Sequence, residues 1–167
     1  PASPWIYPPA LHCALPVSGA NIALFFVVVV ACESASFIQA FSKIGLIPDS
    51  SGTFFLPRLI GFQKASALMM LGDKVSATEA DKIGMIYNAY PDVTFEEESL
   101  KLASTLASLP TIALHYIKQA LNNSLTNNLE EKLKLEDELQ QKAANTNDFK
   151  EGVQAFLEKR KANFKGE

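Results

Sequence analysis

Three features of the chain predict an α/β fold. Residues 27–31 form a valine-rich run of the kind that fills a buried strand. In residues 34–53, apolar Phe37 and Ala40 interleave with polar Ser36 and Gln39 as in a strand, and Gly45 and Pro48 then punctuate the chain before a polar cluster opens a helix. From Thr53 onward, capping residues alternate with apolar patterns of helical period.

Taken in order, residues 1–9 hold four prolines and read as an irregular lead-in. Residues 10–17 are strand-like despite Pro16, residues 17–21 make a turn around Gly19, and residues 21–26 follow as a helix. Pro48 fixes its own φ and disfavours helix at Ile47, so Asp49-Ser50-Ser51-Gly52-Thr53 supplies helix-capping candidates and a phosphate-loop-like turn into a helix. Residues 54–60 and 62–71 then read as helices parted by Gly61 and closed by Gly72. Ser76-Ala-Thr-Glu79 and Thr94-Phe-Glu-Glu97 are capping-box patterns, with a candidate strand at 85–89 between them. The second pattern opens a helix that runs to about Leu109. Pro110 suits the first position of a helix over 111–122. Asn128 caps a long charged helix carrying Leu129, Leu133, Leu135 and Leu139, with Glu130/Lys134 and Glu138/Lys142 spaced for ion pairs on its wet side. Asp148 starts the last helix.

A chain of 167 residues with 48% hydrophobic and 20% charged residues has a globular composition. The net charge of −3 gives no electrostatic case for nucleic-acid binding. Cys13 and Cys32 lack metal-type spacing and suit a reducing, cytoplasmic setting better than a disulfide framework. Residues 1–32 carry no charge, and the uninterrupted apolar run 22–32 is 11 residues, too short to span a bilayer. With no basic region ahead of that run, it does not read as a signal peptide. So uncharged a start suits a covered segment, and the expectation is a chain that begins inside a domain whose earlier part lies elsewhere.

Two ordered motifs carry a resemblance. Gly45-Leu-Ile-Pro48-Asp-Ser-Ser51-Gly52-Thr53 is similar to the strand–G-[ILT]-x-P-x-x-G-G-T–helix pattern of the crotonase superfamily, also called the enoyl-CoA hydratase/isomerase family, with Ser51 replacing the first of the paired glycines. The end of the chain, with Glu151-Gly152, Ala155-Phe156 and Glu158-Lys159-Arg160, resembles the family's closing signature E-G-x-x-A-F-x-E-K-R. Around Phe37–Asp49 the chain looks most like the branch of 1,2-epoxyphenylacetyl-CoA isomerase-like members. The resemblance implies part of the crotonase spiral over 1–90, followed by a helical oligomerisation region over 91–167. It also implies an acyl-CoA thioester substrate, trimers or dimers of trimers, and no metal or redox cofactor, coenzyme A being part of the substrate.

The chemistry the resemblance implies is stabilisation of an enolate on the thioester carbonyl by two backbone N–H groups. One donor falls on Ser18, with Gly19 after it in the turn; the other lies outside the chain. The two glutamates that a hydratase uses to activate water fall on Asn21 and Phe41, neither of which transfers a proton as a carboxylate does. Asp49 is left as the candidate acid/base, suited to moving one proton between the α and γ carbons of a thioester. The competing reading makes Asp49 a helix N-cap. Phe37, Phe41 and Phe54 are candidates for an acyl pocket or for core packing. Gly52 lets substrate come close. Lys159 corresponds to a family lysine near the nucleotide end of coenzyme A, with Phe156 on the same helix face, against a reading as a solvated basic terminus. His12 and His115 read as structural. The isomerase reading stands beside two rivals: a hydratase with a different acid, and a silent fragment that only packs and oligomerises.

Overall fold

The computed structural model describes residues 19–167. They belong to two compact units, one ending at Leu100 and one running from Lys101 to Glu167.

In the first unit a six-residue helix, α1 (Gly19–Leu24), leads to strand β1 (Val30–Cys32). The sequence places this helix two residues later and its strand three residues earlier. In the structure Phe25 and Phe26 close the helix with backbone bonds back to Ile22 and Ala23, and only the end of the valine run pairs. β1 lies parallel to β4 (Asn88–Tyr90), with Val30 opposite Asn88 and Cys32 opposite Tyr90. The pair is tied at its C-terminal end by Asp92, which accepts from both the backbone N–H and the hydroxyl of Ser34. The Ser34 hydroxyl, chiefly, holds the Asp92 carboxyl below the usual range.

β2 (Ser36–Ile38) pairs antiparallel with β3 (Lys74–Ser76), Phe37 facing Val75. β3 has no signal in the sequence, because three residues are too few to set a period. After β2 the chain winds into a tight 3-10 turn over Ala40–Ile44, where the sequence reads as a plain crossover.

Helix α2 (Gly52–Ile60) starts two residues ahead of the expected 54, and α3 (Phe62–Leu71) holds its expected bounds. α4 (Ala77–Lys82) is capped by the Ser76 hydroxyl, which accepts from the Glu79 N–H at 3.1 Å. Glu79 itself turns to Lys64, at 3.3 Å, so the box is half made. The expected strand at 85–89 forms only at 88–90, because Met85 and Ile86 are buried in the core instead. That core gathers Ala23 and Leu24 of α1, Leu56 of α2, Ala65 of α3, Phe37 and Val75. It is the one-sided layer of apolar contacts expected where helices cover short strands.

Helix α5 (Phe95–Ala107) runs across the division of the chain. In the second unit, α6 (Thr111–Ser124) has Pro110 as its N-cap and not as its first residue. α7 (Leu129–Ala144) carries a complete capping box between Asn128 and Glu131. Glu130 and Lys134 pair at 2.8 Å on its exposed side, and Leu139 is its buried residue. α8 (Asn147–Glu158) begins one residue before Asp148, because Thr146 takes the cap by accepting from the Phe149 N–H.

The end of the chain turns back on α8. Asp148, 3% exposed, accepts from the backbone N–H groups of Lys165 and Gly166 at 2.7 and 2.8 Å. Glu151 takes Arg160 through two N–H···O contacts of 2.6 and 2.8 Å and also accepts from the Asn163 N–H. Gly166 has φ +75°, and a Cβ there would come within 2.5 Å of Thr111 Oγ1.

No helix among the described residues is long and apolar enough to cross a membrane.

Candidate functional site

Asp49 is exposed in the loop that joins the 3-10 turn to α2. The helix N-cap position is Ser51, whose side chain makes no capping bond. The loop is formed by backbone that side chains rarely adopt: Ser50 and Ser51 have φ values of +48° and +63°. Each such L-residue costs about 1 kcal/mol or more. Ser51 stands where the motif quoted above has glycine, the residue that accepts this conformation without penalty.

The loop is held from behind by a chain of two amides. Asn21 Nδ2 donates to the Asp49 carbonyl at 3.0 Å, and Gln39 Nε2 donates to Asn21 Oδ1 at 2.6 Å. Asn21 is fully buried and Gln39 is 2% exposed. The orientation of both amides follows from one fixed point. A backbone carbonyl only accepts, so Asn21 must present its NH₂ to Asp49 and its oxygen to Gln39. Gln39 must then present its own NH₂, which leaves Gln39 Oε1 buried and without a partner among the described residues.

Gly52 completes the arrangement. A Cβ at that position would overlap the side-chain amide of Asn21. Only glycine lets α2 begin against this amide, while the Gly52 N–H closes the loop on the Asp49 carbonyl at 2.9 Å. The same carbonyl thus accepts from both sides.

The structure brings Asn21, Asp49 and Gly52 together, with Gly19 buried two residues ahead of Asn21 on α1. Phe41 is buried in the 3-10 turn two residues after Gln39. Phe37 belongs to the core cluster, and Phe54 carries the Arg58 guanidinium 3.7 Å above its ring. Ser18 lies outside the described residues, as do His12 and Cys13.

Phe156 and Lys159 belong to the second unit. Phe156 is 82% exposed, beside an apolar cleft of about 400 Å³ lined by Phe149, Val153, Leu157 and Phe164 among others. Lys159 ends α8 with φ +55°. Arg160, its neighbour, is drawn into the Glu151 and Glu158 carboxylates and so does not form part of an open basic patch. The described residues hold no cluster of metal-ligating side chains.

The sequence reading missed Gln39 and gave Asn21 no role beyond that of a lost carboxylate. A signal for Asn21 was present: it is the lone hydrogen-bonding side chain in the apolar stretch from Gly19 to Cys32, apart from the thiol. Gln39 gave none, because strand-like alternation already explained a polar residue there.

Residues 10–167 match the model of the family described as enoyl-CoA hydratase/isomerase. A relative from Escherichia coli, a 1,2-epoxyphenylacetyl-CoA isomerase, is 45% identical over 149 residues, which cover 89% of this chain and 57% of the relative. A probable enoyl-CoA hydratase from Rhodobacter capsulatus is 44% identical over 157 residues, 94% of this chain and 61% of the relative. A solved enoyl-CoA hydratase from Bacillus anthracis superposes with a TM-score of 0.86 at 34% identity, over 90% of this chain and 59% of that one. The α/β architecture expected from the sequence, part of a crotonase spiral followed by helices, is the fold these neighbours share with it. The chain spans about three fifths of the length of the curated relatives it matches.

Proposed function

The chain belongs to the enoyl-CoA hydratase/isomerase family, and from that premise we propose that it acts as an acyl-CoA isomerase. The reaction is a proton shift, or a related rearrangement, next to the carbonyl of a coenzyme A thioester. Asp49 is the acid/base. Its carboxylate takes a proton from one carbon, the electron pair moves onto the thioester oxygen as an enolate, and the same carboxyl returns the proton to the other carbon. Backbone N–H groups, one of them assigned to Ser18 beside Gly19, hold the enolate oxygen. Phe41 and Gly52 are assigned to the acyl end, Phe156 and Lys159 to the nucleotide end. The reaction needs no metal or redox cofactor. Assembly of the chain into trimers or dimers of trimers belongs to the same proposal.

The single observation that carries this reading is the state of Asn21. Both polar ends of its side chain are engaged, with Gln39 and with the Asp49 carbonyl. Position 21 thus offers no carboxylate to an attacking water, and Phe41 offers none either. A hydratase with a different acid is the second reading, favoured by the hydratase relative of nearly equal identity.

The test is Asp49→Asn in the full-length protein. Conversion of a 3-enoyl-CoA to its 2-enoyl isomer is expected to fall about 10²- to 10⁴-fold with thioester binding retained. Undiminished turnover would remove Asp49 from the mechanism. Faster hydration of a 2-enoyl-CoA than isomerisation in the parent protein would favour the second reading.

A further inference from the structure

We propose that Asn21 is the positioning residue for Asp49, and that its amide sets the choice of reaction. The proposal rests on the reading of Asp49 as acid/base. Position 21 must satisfy two opposite demands within one short side chain: it accepts from Gln39 Nε2 at 2.6 Å and donates to the Asp49 carbonyl at 3.0 Å. An amide does both, whereas a carboxylate only accepts. An ionised acid at position 21 would turn an oxygen toward the Asp49 carbonyl from a fully buried side chain.

The loop cannot easily absorb that change. Ser50 and Ser51 already stand at positive φ, and Gly52 lies directly against the amide. Displacing the Asp49 carbonyl would swing its carboxylate with it, since both hang on the same Cα. A carboxylate at 21 and a working carboxylate at 49 therefore exclude each other in this loop. That exclusion bars a carboxylate pair at positions 21 and 49, as Phe41 bars one at 21 and 41, and leaves the single-carboxylate proton shift.

The experiment is Asn21→Asp, a nearly isosteric change that, ionised, replaces the donor by a charged acceptor, made in the full-length protein beside Asp49→Asn and assayed at a pH above the range in which a buried carboxyl protonates. For the conversion of a 3-enoyl-CoA, kcat should fall about 10- to 100-fold with KM within about twofold, the split expected when an acid/base is misplaced and binding is not. Hydration of a 2-enoyl-CoA should not appear. Unchanged kcat in Asn21→Asp beside an inactive Asp49→Asn would overturn the positioning role and leave the acid/base reading intact. Full activity in Asp49→Asn would remove both. Gain of hydration in Asn21→Asp would overturn the exclusion. Should Asn21→Asp fail to fold, Gln39→Met keeps Asn21 and removes its anchor. A several-fold loss of kcat at steady KM supports the relay there, and parent-like kcat overturns it.

Discussion

The loop at Asp49 and the returning tail at residues 160–167 are both pinned by side chains that reach for backbone groups, with opposite chemistry. In the first unit, neutral amides do the pinning: Gln39 holds Asn21, and Asn21 donates to the Asp49 carbonyl. In the second, carboxylates do it: Asp148 and Glu151 accept from the N–H groups of Lys165, Gly166 and Asn163. A carboxylate makes the stronger bond to an N–H, but it titrates and is screened by salt when exposed. An amide is weaker, carries no charge and stays the same across the range in which an acid/base works. Placing the neutral clamp behind Asp49 keeps a second negative charge away from the group proposed to gain and lose a proton.

The largest effect separating the two clamps should come from Asp148→Ala. It strips the partner from two N–H groups at a buried position and should cost about 3 kcal/mol of unfolding free energy, read by urea titration. A cost below about 1 kcal/mol would mean that the tail is held by apolar packing and that the contrast is empty.

Next in size is Gly52→Ala. Its Cβ overlaps the Asn21 amide, and overpacking of this kind costs about 1–3 kcal/mol. The same change should lower the isomerase kcat more than it raises KM, whereas Asp148→Ala should leave the kcat of the folded protein near that of the parent. Equal kcat losses in the two variants would erase the functional difference between the clamps.

The smallest effect is the acid response. The Arg160 guanidinium on its carboxylate pulls Glu151 from an ordinary 4.5 to about 2. A carboxyl depressed on folding stabilises above its unfolded value and ceases to do so as pH falls through its folded one. Hydrogen-exchange protection of the Asn163 amide should thus hold above about pH 4.5 and fade between there and about pH 2. The tail contribution of Glu151 should also weaken with added salt, because the group is partly exposed. Protection of the tail that stays flat over that window would contradict the assignment.

What the sequence disclosed follows from how local each signal is. Asn128 with Glu131, and Ser76 with Glu79, bond within one turn, so the pattern of four residues contains the structure. The parallel pairing of Val30 with Asn88 joins segments 58 residues apart through only three residues on each side, and no local period encodes it. At the candidate site, the motif around Pro48 to Thr53 exposed Asp49 and Gly52. It could not show that Gly52 is small because Asn21 is there, since that is a contact across 31 residues. The closing motif was legible as a string only. Its Glu151 and Arg160 meet because the chain leaves α8 at Lys159 in the left-handed region and folds back.

The overlap between position 52 and the amide at position 21 has a consequence for how this chain can change over generations. The two sites are epistatic. Enlarging residue 52 becomes tolerable only after residue 21 has shrunk, and a longer acid at 21 finds no free space on that side. A lineage moving from the proposed chemistry toward one that uses two carboxylates would have to alter positions 21 and 41, and the change at 21 would meet Gly52 and Gln39.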